Sequence, residues 1–245
     1  MNWPAILLIG AAVGFLGGLF GKGGSAIATP LLAAVGVPPI LAVAAPLPAT
    51  IPGTLVAARP YVRGRFFDRD ALGWSLVVAV VATILGAVAT RWISGSILVT
   101  VTDIVVAALG LRFLFKPRST EDAAAEVSHR VLRTVLVAGV VGLTAGLLAN
   151  SGGFLLAPLY LAVLRLPIKP AFGTSLIVSC VLAVPGTLVH AALGQVDWTL
   201  VLWFGVASVP LSAVGARVGL RSDAARLERV YGAVLALLGI GLLVL

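Results

Sequence analysis

Two copies of one glycine-rich tract, each set between apolar runs, constrain this chain more than any other feature. The first reads Gly14-Phe15-Leu16-Gly17-Gly18-Leu19-Phe20-Gly21-Lys22-Gly23-Gly24-Ser25-Ala26-Ile27-Ala28-Thr29-Pro30. The second reads Gly142-Leu143-Thr144-Ala145-Gly146-Leu147-Leu148-Ala149-Asn150-Ser151-Gly152-Gly153-Phe154-Leu155-Leu156-Ala157-Pro158. At one constant spacing Gly14, Gly24 and Pro30 fall on Gly142, Gly152 and Pro158, which sets Lys22 opposite Asn150. Further on, Pro52-Gly53-Thr54-Leu55-Val56 returns letter for letter as Pro185-Gly186-Thr187-Leu188-Val189, at a wider spacing that predicts an insertion in the second copy. Matching blocks in the same order define an internal repeat.

The medium in which that repeat folds follows from polarity. The chain is 60% hydrophobic and 11% charged, against about 25% charged in a typical soluble domain. It is an integral membrane protein, and its 245 residues are best counted in spans of about 20. The net charge of +8 does not indicate nucleic acid as a partner. Lys and Arg are confined to short loops between apolar runs and are not spread over an aromatic-studded face. The single Cys180 excludes an intrachain disulfide and any cysteine cluster and reads as a packing residue. The segment after Met1-Asn2-Trp3-Pro4 lacks a basic leader region and has a repeat partner at 131–149, so it is expected to stay in the mature protein.

Apolar runs and Gly/Pro punctuation predict elements at 4–20, 25–36, 40–58, 71–91 and 97–115, then at 131–149, 153–165, 170–189, 198–216 and 228–245. The second element of each half, about 12 residues or ~18 Å of helix, is too short for a ~30 Å hydrocarbon core. Backbone groups cannot end unsatisfied in lipid, so these short helices and their glycine loops are expected inside protein, as re-entrant hairpins with the helix before. The expected fold is an all-α membrane protein built as an inverted repeat of two five-element halves, with about 8–10 membrane helices. Residues 1–116 form the first repeat, 117–130 a cytoplasmic linker and 131–245 the second repeat.

Orientation follows from the positive charges. With the loops 59–70, 112–133, 165–169 and 217–229 in the cytoplasm, and Lys22 there or buried, Arg91 is the one positive side chain of 17 left outside. The loop after the first Pro-Gly-Thr-Leu-Val block is basic and the loop after the second is not, while 91–96 and 217–229 show the reverse. The copies are therefore expected to be inverted in a plasma membrane, multi-pass, with both termini outside.

Inverted repeats with broken helices are the architecture of secondary transporters, whose substrates bind where the broken helices of both halves meet. The candidate substrate site is Gly21, Lys22, Gly23, Gly24 and Ser25 with Asn150, Ser151, Gly152 and Gly153. Ser25 is a good N-cap, and free N–H groups with the positive end of a helix dipole favour an anion. Close helix packing accounts for any one of these glycines equally well. Lys22, costing at least ~2.5 kcal/mol at mid-bilayer, either reaches a membrane surface or faces a polar cavity; the glycines around it and its polar counterpart Asn150 favour the cavity. Thr50, Thr174, Ser175 and Ser179 sit on the third element of each half, where hydroxyls serve an anion or their own helix backbone. Asp103, inside an apolar run, is the candidate for proton coupling; a pair with Arg91 or Arg112, or a position near the outer surface, is the alternative.

A serine hydrolase built from Ser25, Ser151 or Ser175 with His190 lacks a Gly-x-Ser-x-Gly elbow. Two His and one Cys scattered over 129, 180 and 190 make a poor metal site. Neither cofactor nor metal is expected.

The residues also carry a family resemblance. Gly18-Leu19-Phe20-Gly21-Lys22-Gly23-Gly24-Ser25 with Pro30-Leu31-Leu32, the tract Arg63-Gly64-Arg65-Phe66-Phe67-Asp68 and the repeated Gly-Gly and Pro blocks are similar to the sulfite exporter TauE/SafE family over nearly the whole chain. The resemblance implies a bacterial or archaeal plasma-membrane permease for sulfite, sulfoacetate or a related sulfur oxyanion. The family's cluster often reads Gly-x-Gly-Gly-Gly; here Lys22 takes the variable place and Ser25 replaces the last Gly. A permease of the same fold for another metabolite or ion, and a non-transporting membrane scaffold, are the alternatives.

Overall fold

A computed structural model of the chain describes residues 2–21, 25–89, 111, 129–147 and 150–244. Among them are ten helices and no strand: α1 (Trp3–Leu19), α2 (Ser25–Ala34), α3 (Pro39–Ala44), α4 (Pro46–Arg63), α5 (Arg69–Ala89), α6 (Arg130–Leu147), α7 (Gly153–Ala162), α8 (Ile168–Ala192), α9 (Trp198–Arg221) and α10 (Ala224–Val244). The stretches Leu41–Arg63, Arg69–Ala89, Arg130–Leu147, Ile168–Ala192 and Trp198–Arg221 are long and apolar enough to cross a membrane. The fifth element expected at 97–115 and most of the linker 117–130 lie outside the described residues.

Several helices start where an acid or amide can cap them. Asn2 accepts from the Ala5 amide at 3.2 Å to open α1. Asp68 accepts from Ala71 at 2.8 Å to open α5, and Asp197 accepts from Thr199 at 2.9 Å to open α9. Each carboxylate satisfies an N–H that the first turn leaves without an intrahelical partner. Asp68 and Asp197 hold equivalent places in the two copies, and at that spacing Pro39–Arg63 corresponds to Ile168–Ala192.

This equivalence corrects the expected insertion. Pro52 stands 16 residues before Asp68 (68 less 52), whereas Pro185 stands 12 before Asp197 (197 less 185). The Pro-Gly-Thr-Leu-Val block has slid by about one helical turn within a stretch of unchanged length. The two stretches also differ at one point. Pro46 has no N–H to bond back to Ala42, so the first copy is divided into α3 and α4 while α8 runs unbroken.

The halves pack crosswise. Gly14 and Gly18 of α1 lie on Ser208 and Ser212 of α9, and Gly142 and Gly146 of α6 lie on Ala79 and Thr83 of α5. A Cβ on Gly18 would stand 2.0 Å from the Ser212 carbonyl oxygen, and one on Gly146 would stand 2.1 Å from that of Thr83. Only glycine lets the backbones come so near, the small-residue packing usual between membrane helices. Both pairs run parallel, since residue numbers rise together along each contact.

One end of the bundle is basic. Arg130, opening α6, pairs with Asp68 at the start of α5, and Arg133 donates to the Val163 carbonyl just beyond α7 at 3.5 Å. The hairpin α6–α7 therefore closes at the end where it began. At the opposite end the Trp3 and Trp203 rings lie 5.9 Å apart. There Leu32 and Val37, at the end of α2, share a buried core with Ile6 of α1, Leu200 and Phe204. The hairpin α1–α2 opens and closes at this second end.

Candidate functional site

The described part of the first tip ends at Gly21, whose φ of +64° is the left-handed conformation glycine tolerates best. A Cβ there would stand 2.4 Å from the Phe172 Cα of α8. Phe20 and Phe172 both pack on the Tyr231 ring of α10, with centroids 5.3 Å and 5.1 Å away. Ser25 opens α2. Lys22, Gly23, Gly24 and Asp103 lie outside the described residues.

The second tip is described in full from Asn150 onward. Asn150 Oδ1 accepts from the Gly152 amide at 2.6 Å, and Gly152, at φ +68°, caps α7. With its oxygen engaged, Asn150 keeps the two donors of its NH2 group. Ser151 is buried beside it. Gly153 begins α7, so the unpaired N–H groups and positive dipole end of that helix lie at the tip. The Ser175 hydroxyl of α8 donates to the Gly153 carbonyl at 3.3 Å.

Phe172 and Ser175 belong to one turn of α8. Both tips therefore abut the same turn of the same helix, although they come from hairpins that open at opposite ends of the bundle. Of the residues expected at the site, the structure brings Gly21, Asn150, Gly152, Gly153 and Ser175 to this place.

Thr174 is a neighbour with a different task. Its hydroxyl donates to the Pro170 carbonyl at 2.8 Å and accepts from the Asp68 amide at 2.9 Å, which ties α8 to the loop carrying the Asp68–Arg130 pair. Thr50 is elsewhere. It donates to the Pro46 carbonyl at 2.8 Å and lines a cavity of about 20 Å³ between α1, α4 and α9. Gly14 and Gly18 form one wall of this cavity, Thr50 and Thr54 a second, and Ser208 and Ser212 a third. Ser208 is 5% exposed, and its hydroxyl has no partner among the described residues. Ser179, also fully buried, has none either.

Three further buried polar residues, Ser208, Ser212 and Glu228, are not marked as such in the sequence. Ser208 and Ser212 sit inside an apolar run and look like serines bonded to their own helix, as Ser212 in fact is, donating to Ser208 at 2.8 Å. Glu228 lies where the loop expected at 217–229 meets the element expected at 228–245; α10 begins at Ala224 and holds it at 8% exposure, one turn before Tyr231. The i, i+3 spacing of Glu228 and Tyr231 was the available signal. The serine–histidine alternative loses its geometry for Ser175. His190 lies four turns along α8 from it, with Nδ1 2.7 Å from Gln195 Oε1.

Comparisons with known proteins match the chain over nearly its whole length. The model of a family described as sulfite exporter TauE/SafE matches residues 6–242. A probable membrane transporter protein of Xylella fastidiosa strain 9a5c is 31% identical over 237 residues, covering 91% of this chain and 88% of its own. The probable membrane transporter protein YunE of Bacillus subtilis is 22% identical over 98% of this chain and 96% of its own. For YfcA of Escherichia coli K12, described in the same words, identity is 21% over 88% of this chain and 78% of its own. No solved structure matches.

Proposed function

The chain belongs to the sulfite exporter TauE/SafE family and is a multi-pass membrane transporter; from that premise we propose that it exports a small sulfur oxyanion. The substrate class is sulfite, sulfoacetate or a similar organosulfonate, moved across the plasma membrane by alternating access. The observation that carries this reading is the meeting of two glycine tips on one turn of α8, at Phe172 and at Ser175. Substrate lies between the tips, where either hairpin can open toward its own end of the bundle while the other stays closed.

The chemistry at the tips favours an anion. Asn150 offers NH2 donors, the start of α7 offers backbone N–H groups and a partial positive charge, and Lys22 supplies the full charge that a dipole lacks. Ser151, Gly23, Gly24 and Ser25 complete the lining. Thr50 and Thr174 are left out of the anion site, because each has turned its proton onto its own helix. The basic end faces the cytoplasm, and both termini lie outside. Asp103 is the acid proposed to carry a coupling proton; Asp103→Asn should abolish pH-driven transport and spare exchange.

Efflux of labelled sulfite, measured as uptake into inside-out vesicles, tests the reading. Lys22→Ala should lower apparent affinity by about tenfold to a hundredfold, the worth of one charge-assisted hydrogen bond at roughly 1.5–3 kcal/mol. Asn150→Ala should have a smaller effect. Wild-type transport by Lys22→Ala would falsify the tip site.

A further inference from the structure

The cavity between α1, α4 and α9 also touches Leu176 of α8, the residue after Ser175, but none of the described tip residues lines it; its volume and polarity decide what it can hold. About 20 Å³ exceeds the ~10–15 Å³ that one water needs and is too small for a sulfur oxyanion. It lies between a helix pair of the first half, α1 and α4, and α9 of the second. Thr50 and Ser208 are each near the middle of their helical stretches, the depth at which transporters of repeated architecture hold their coupling ions.

The direction of each hydroxyl proton sets the sign of the ligand. Thr50 donates to Pro46 at 2.8 Å, Thr54 to the Thr50 carbonyl at 2.7 Å, and Ser212 to the Ser208 carbonyl at 2.8 Å. A hydroxyl whose proton is committed presents only lone pairs to the other side. Ser208 Oγ, 5% exposed and without a partner among the described residues, is the fourth oxygen. Four oxygens and one uncommitted proton make an acceptor-lined site, unfit for an anion. A water has two protons to offer four acceptors, whereas a hard cation engages all of them at once, and hard cations take oxygen ligands.

We infer that this cavity binds one dehydrated Na+ per chain, held by Thr50, Thr54, Ser208 and Ser212. The second copy keeps only half of the set. At the spacing that equates Asp68 with Asp197, Thr50 and Ser212 retain hydroxyl counterparts in Ser179 and Thr83, whereas Gly53 becomes Leu182, Thr54 becomes Ala183 and Ser208 becomes Ala79. Leu182, where the first copy has Gly53, brings its Cδ1 to 3.3 Å of where a Cβ on Gly152 would be. The site is thus a departure from the repeat, single where the tips are paired, and it gives the transporter a second cation to couple to besides the proton.

Equilibrium binding of 22Na+ to the purified full-length protein in detergent tests this. Saturable binding near one ion per chain is expected, displaced by unlabelled Na+ and not by choline. Thr54→Val and Ser208→Ala should each weaken it at least about tenfold, as disturbed metal sites commonly do. Ser222→Ala, a hydroxyl at the exposed end of α9, should bind as wild type. Melting curves in choline establish that the variants are folded, and Na+ should raise the wild-type midpoint while leaving Thr54→Val where it is. Absence of saturable 22Na+ binding, or full binding by folded Thr54→Val and Ser208→Ala, would overturn the site and leave the cavity to a water.

Discussion

Asp68 performs two tasks with one carboxylate: Oδ1 caps α5 and Oδ2 pairs with Arg130 at the start of α6. The tasks separate by substitution. Arg130 is 40% exposed, so solvent screening limits the pair, and Arg130→Ala should cost less than about 1 kcal/mol. Asp68→Ala also removes a cap worth about 1 kcal/mol and should cost clearly more, as read from denaturant unfolding in detergent. Gly18→Ala should be worse than either by crowding. Its Cβ would sit 2.0 Å from a backbone oxygen that cannot move alone, and overpacking of this kind costs roughly 1–3 kcal/mol. Gly205→Ala is the control, because its Cβ would meet Ala49 at an ordinary 3.6 Å.

Element by element, much was legible from periodicity and punctuation. α1, α2, α6 and α7 fall within a few residues of their expected bounds, because glycine clusters mark the tips and charged loops mark the ends. The break between α3 and α4 was not legible. Pro46, Pro48 and Pro52 crowd one apolar run, and which proline interrupts a helix depends on which freed carbonyls the neighbouring helices can cover. The slide of the Pro-Gly-Thr-Leu-Val block escaped for a related reason: letters match without counting turns. The orientation of the elements in the membrane is open to direct test in a Cys180→Ser background. An impermeant maleimide added to whole cells should label Ala192→Cys, at the end of α8, and leave Phe67→Cys, in the basic loop, unlabelled. Labelling of Phe67→Cys would reverse the topology.

Across the whole molecule, the halves that look like two domains in the sequence do not pack as two domains. α1 finds its glycine-fitted partner in α9, and α6 finds its own in α5. Residues 1–116 and 131–245 expressed apart should each be degraded, and expressed together should assemble and restore transport. Survival of either half alone as a folded monomer would contradict the crosswise packing. This scale also explains which parts of the candidate site were readable. Asn150 and Gly152 belong to one local turn, and local turn chemistry is written in neighbouring letters. The cavity of Thr50, Thr54, Ser208 and Ser212 is assembled from helices more than a hundred residues apart, and no spacing along the chain announces it.

The pairing of α1 with α9 also sets a timetable for biosynthesis. α6 emerges from the ribosome with α5 already made, so its glycine face has a partner at once. α1 does not: 179 residues separate Leu19 from Trp198 (198 less 19), which at about 5–20 residues per second is roughly 10–35 s of translation. Through that interval the closest-fitting surface of the first helix faces lipid or whatever insertion factor shields it. Of the described helices α1 is made earliest and is among the last to be paired, so its glycine face is the surface that quality control can see for longest.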